Sequence, residues 1–110
     1  MQFVQQAPRF SAARRSLMLP HRDGETAAIV NALQACALGM RNLRSGDLDD
    51  HAVRWLQQLW VLMAVADNAA AATMPATHWQ TRAAELDVDQ QADLSRLIDE
   101  LAHWFERQPK

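Results

Sequence analysis

The residues with the best claim to chemistry are few in this chain. Glu100 and His103 stand at i, i+3, the spacing that sets a carboxylate and an imidazole on one helical face in di-iron carboxylate bundles. Such a site needs a second Glu-x-x-His pair and two more Glu. The chain has four Glu (Glu25, Glu85, Glu100 and Glu106) and no second pair, so the ligand count fails. Asp47, Asp50 and His51 sit together, but at a place where a helix start explains the acids. The single Cys36 excludes an internal disulfide and any Cys-rich zinc site. It falls between Leu33 and Met40 on an apolar seam, where a thiol behaves as a small hydrophobe. A reactive thiolate wants a cationic, partly exposed setting. There is no Gly-x-Ser-x-Gly elbow and no glycine-rich phosphate loop. The expectation is a protein that is not an enzyme and carries no metal or cofactor.

What must position any functional surface is a set of helices. Ala, Leu, Gln and Arg dominate the 110 residues, only three Gly and four Pro interrupt them, and β-branched residues are scarce. Hydrophobic content of 49% with 22% charged residues is that of an ordinary globular chain, and the length suits one domain. Arg outnumbers Lys ten to one, a bias of GC-rich bacterial genomes. The net charge of −2 conceals an asymmetry: residues 1–22 carry +4 and residues 23–110 carry −6.

The N-terminal stretch, residues 1–22, reads as a basic and apolar arm. Its charges are Arg9, Arg14, Arg15 and Arg22, and Phe3, Val4, Phe10, Leu17, Met18 and Leu19 give it surface with which to dock. Pro8 and Pro20 bracket a short helical stretch from Ser11. Packing along its own domain is the simpler expectation, and clasping a second subunit or an acidic partner the sharper one.

Residues 23–110 read as a single helical-bundle domain. Asp23 is placed to cap a first helix whose seam is Ile29, Leu33, Cys36, Met40 and Leu43, widened by Ala28, Ala32, Ala35 and Leu38 and ended by Ser45-Gly46. A second helix begins at Asp47 or Asp49 and runs through Val53 to Ala72, forming an antiparallel hairpin with the first. Its early half has a wet side, Arg54, Gln57 and Gln58. Its later half, Leu59 to Ala66, has no polar side chain at all. Asp67 is expected in water at the bundle's end. A short third helix over Ala76 to Leu86 turns Trp79 and Ala83 inward. Asp87 and Gln90 make a capping box for a last helix whose apolar side is Leu94, Leu97, Ile98, Leu101, Trp104 and Phe105. Trp55, Trp60, Trp79 and Trp104 fill the core, line an apolar pocket, or anchor an interface. The expected fold is all-α: a small four-helix bundle, a helical hairpin plus two further helices, with an N-terminal arm.

Residues 83–98, AAELDVDQQADLSRLI, resemble a bacterial helix-turn-helix, with Ala84 inside, a turn near Val88, and Leu94 and Leu97 packing the second helix. The resemblance implies a transcriptional or small-ligand-binding regulator. The would-be recognition helix, however, carries Asp89, Asp93, Asp99 and Glu100 against one Arg96, and such a face repels phosphates. Nucleic acid is therefore not the expected partner.

The excess of apolar surface points to a small non-catalytic bacterial interaction protein (adaptor, chaperone-like or regulatory), acting as a homodimer and bound to a protein partner. The expected interface is Trp60, Val61, Met63, Ala64 and Val65. The longest apolar run falls short of the ~20 residues that span a bilayer, and a cytoplasmic location follows by default.

Overall fold

In a computed structural model, residues 3–18 and 24–108 are described, and among them the architecture is all-helical. Six helices follow in order: α1 (Gln6–Ser16), α2 (Glu25–Met40), α3 (Asp50–Met63), α4 (Asn68–Thr73), α5 (Ala76–Glu85) and α6 (Val88–Glu106). A 3-10 turn at Ser45–Asp47 lies between α2 and α3. The radius of gyration is 12.9 Å, against about 13 Å for a compact chain of this length.

Within the N-terminal stretch, Gln6–Ser16 form a helix packed along the chain's own domain, the simpler of the two expectations. Phe3, at φ 62°, turns the chain in, and its carbonyl accepts from the Ala7 amide at 3.1 Å. Pro8 sits in the first turn of α1, where its missing N–H has no partner to lose, so it lies inside the helix and does not bracket it. Gln6, Phe10 and Ala13, spaced four and three apart, form the buried face. Phe10 stacks on Phe105 with ring centroids 5.0 Å apart, and Phe3 meets Trp104 and Phe105 edge-on at 5.3 and 5.1 Å. Gly39 makes room for this docking: a Cβ there would stand 2.8 Å from the Phe10 ring. Arg14 reaches Asp99 and Glu106 of α6, each at 3.7 Å, and the Ser11 hydroxyl donates to Glu106 at 3.0 Å. The basic segment thus lies against the acidic helix of its own chain.

The seam of α2 is buried as its spacing predicts: Ile29, Leu33, Cys36 and Met40 all lie in the core, joined by Leu43 from the following loop. Two details differ. The helix stops at Met40, because Arg41 is extended and Asn42 is left-handed at φ 61°. Leu38 faces outward, 43% exposed. The N-cap position is Gly24, at φ 97°, which suits glycine. Asp23, expected to cap, lies outside the described residues. The early stop leaves residues 41–49 as a long connection, and the expected hairpin of the first two long helices does not form. The backbone of α2 packs mainly on α1, α5 and α4, and that of α3 mainly on α6.

The start of α3 follows the sequence reading. Asp49 is the N-cap, accepting the Ala52 amide at 2.9 Å. Its end does not. The apolar stretch breaks at Ala64, which is left-handed at φ 58°, and the chain restarts as α4 with Asp67 capping Ala70 at 2.8 Å. The cause is tertiary. The Arg82 guanidinium of α5 donates to the Leu62 carbonyl at 2.6 Å and reaches the Val61 carbonyl at 3.5 Å, and His78 Nε2 lies 2.9 Å from the Met63 carbonyl oxygen. The Val65 amide returns to the Trp60 carbonyl at 3.0 Å. The last carbonyls of α3 are therefore satisfied without further helix. Beneath the break, Trp60 donates to Asn68 at 2.9 Å, and Asn68 donates to the Leu43 carbonyl at 3.1 Å, tying both ends of the joint to the loop after α2.

The helices α5 and α6 have the expected limits, with the capping box of Asp87 and Gln90 present. The apolar side of α6, Leu94 to Phe105, is buried as read. Among the described residues no helix is long and apolar enough to cross a membrane.

Candidate docking groove

The sequence-predicted interface does not assemble as one apolar face. Met63 is fully buried in its own core. Trp60 and Val65 are half-buried and packed against that core, while Ala64 is exposed. Val61 is 73% exposed, but it continues a polar stripe of Arg54, Gln57 and Gln58 rather than a greasy one. The helical break separates these residues into inside and outside. Of the predicted basic residues, Arg9 and Arg15 are exposed, Arg14 is paired to α6, and Arg22 lies outside the described residues.

The helix-turn-helix-like segment becomes the end of α5, a two-residue turn, and the start of α6. Ala84, expected inside, is exposed, and Ala83 takes the buried place. Asp87, Asp89, Asp93 and Asp99 all face water. Among the described residues Glu100 and His103 belong to no group of three or more ligating side chains; His103 Nδ1 lies 3.1 Å from the Asp99 carbonyl oxygen and 3.6 Å from its carboxylate.

A concave apolar surface lies elsewhere, around α4. One hollow of about 270 Å³ opens between α2, α4 and α5, floored by Ala37, Leu38, Ala71, Ala72, Met74 and Trp79. Arg41 and Gln34 stand at its edge. A second, of about 440 Å³, shares Ala72 with the first but is polar as much as apolar, lined by Asn42, Arg44 and Asn68 beside Met40 and Leu43. The alanines of α4 create this shape, since small side chains leave a furrow on either side of the helix. A larger hollow of about 700 Å³ lies between the end of α1 and α6, lined by Arg14, Leu17, Arg96 and Asp99. Its walls carry charged Arg14, Arg96 and Asp99. The hollow between α2, α4 and α5 is the better docking surface, because its floor is mostly apolar and apolar floors with few polar groups carry binding energy.

Its electrostatics are distinctive. There is no acid from residue 26 to 46, nor from 68 to 84, and these segments build the furrow. Seven of the thirteen acids lie at 85–106, on the other side of the chain's course. The signal was present in the sequence as these acid-free intervals beside the Ala69–Ala72 run. It is obscured when that run is taken as the tail of a long second helix.

The perturbed groups serve the fold. Asp49 is held below the usual carboxylate range, first by the Ala52 amide and then by the Trp104 indole, which donates to it at 2.8 Å. A lowered carboxylate stabilises the fold above its unfolded pKa, and that contribution is lost as pH falls through the folded value. Asp49→Ala is therefore expected to cost about 1–2 kcal/mol at neutral pH. The difference between urea melts of the two proteins should hold above about pH 4 and narrow as pH falls below it; a difference that ignores pH would contradict this. Burial pushes the Cys36 thiol far above the ordinary thiol range. In native protein it should react with an aromatic disulfide at least ~10³-fold more slowly than in unfolded chain, because reaction requires opening. Fast native labelling would contradict its place in the core.

Comparison with known protein families, with curated proteins and with solved structures finds no match to this chain.

Proposed function

We propose that this is a small non-catalytic interaction protein, an adaptor, chaperone-like or regulatory component, that works as a homodimer. The observation that supports it best is the acid-free apolar furrow between α2, α4 and α5, open to solvent and edged by Arg41. The polar side chains at the helix ends support it too. Asp49, Asn68, His78 and Arg82 each close a helix end or tie a loop, so they serve structure rather than a reaction. Stable interfaces bury about 1,200–2,000 Å², and a furrow beside a six-residue helix supplies only a small part of that, so association in the micromolar range is expected. A regulator working through residues 83–98 has less support, because the start of α6 presents Asp87, Asp89 and Asp93 to any approaching phosphate.

The test is light scattering on the full chain across concentration, with Leu38→Asp beside it. Dimer forming at about 100 µM and lost in Leu38→Asp supports the reading. Monomer throughout contradicts it.

A further inference from the structure

Resting on the homodimer reading, we infer that the occupant of the α4 furrow is a second copy of this chain, seated by the first two turns of its α6. Val88, the first residue of that helix, is 80% exposed, more than any other large hydrophobic residue among those described. Exposed Asp87 and Asp89 flank it, and exposed Ala92 and Asp93 follow one turn later. This is an apolar knob set in carboxylates. The furrow is its complement: an apolar floor, no acid, and the exposed Arg41 at the edge. Opposite charge around an apolar contact fixes register and discourages other docking modes.

The chain's course makes the arrangement close. Ala76 and Trp79, in the first turn of α5, line the furrow, and Val88 follows the end of the same helix. Ten residues of helix separate the two by about 15 Å. Two copies with their α5 helices antiparallel about a twofold axis bring the start of one α5 beside the end of the other. Each Val88 then faces the partner's furrow, and both contacts form together. The outer side of α5 permits this approach, since Thr77, Gln80, Thr81 and Ala84 are exposed, uncharged and of modest size. An isologous pair of this kind leaves no knob or furrow open, and so stops at two.

Sedimentation equilibrium of the full chain tests the seat. Val88→Asp changes a solvent-exposed side chain, so thermal unfolding and helix content should stay as in the parent while dimer affinity falls at least ~10-fold. Arg41→Glu should weaken the dimer similarly, and Arg41→Glu with Asp89→Arg in one chain should restore it, with a salt dependence like the parent's. A dimer that ignores Val88→Asp and yields to Val61→Lys overturns this seat while leaving the homodimer reading intact. Growth into species larger than dimers overturns the twofold closure, and a parent chain that stays monomeric overturns both.

Discussion

Replacing Phe10 with Ala should destabilise the protein by about 3–5 kcal/mol, as truncation of a large buried aromatic does. That is a large part of the 5–15 kcal/mol available to a domain of this kind. The physical reason is the position of the ring. Phe10 is wholly buried, stacks on Phe105, and presses on Gly39, which has no side chain to fill the space left behind. Neither partner can collapse into the cavity, because Phe105 is itself held by Phe3 and Trp104. A double-mutant cycle with Phe105→Leu should show ring–ring coupling of about 0.5–1.5 kcal/mol. Denaturant melts measure both. A loss below ~0.5 kcal/mol, the range of surface substitutions, would mean that residues 6–16 are a peripheral arm after all.

The joint between α3 and α4 gives the second large effect, with opposite signs from two neighbouring changes. Arg82→Met keeps the aliphatic stem but removes the donor to the Leu62 carbonyl, which then sits at a helix end without its partner. A cost of about 1–3 kcal/mol is expected. The ion pair from Arg82 to Glu85, at 3.9 Å and with Glu85 exposed, adds little to this. Ala64→Gly should instead stabilise by up to ~1 kcal/mol, because a left-handed alanine is strained and glycine is not. The sign is decisive. In a continuous helix the same glycine would destabilise by about 1 kcal/mol. Thermal melts of the two variants therefore distinguish the broken joint from the unbroken helix that the local sequence favours.

That joint also shows where sequence reasoning stops. LWVLMAVADNAAAA has no Gly or Pro and alanine is the best helix former, so the one local signal of a break is Asp67, which caps α4 three residues after Ala64. The break depends on Arg82 and His78 from another helix, and on Asn68 reaching Trp60 and Leu43. Such contacts carry no local signature. Local chemistry was readable: the Asp49 cap, the Asp87–Gln90 box and the seams of α2 and α6 all follow from spacing and capping. The packing partners were not, because residues 41–49 read as a short turn when a helix ending at Met40 makes them a long connection. The N-terminal segment was half legible. Its hydrophobes foretold docking, but only the tertiary structure brings Phe3 and Phe10 onto Trp104 and Phe105. The furrow was legible as charge and not as shape, since acid-free intervals can be counted while a groove beside α4 needs the break at Ala64.

The most direct measurement of the central claim is an amide ¹H–¹⁵N spectrum of the full chain followed from dilute to concentrated solution. Concentration-dependent shifts are predicted at Leu38, Arg41, Ala72 and Met74, together with Val88 and Ala92. An unchanged spectrum, or shifts confined to Arg54, Gln57, Gln58 and Val61, would contradict association through the α4 furrow.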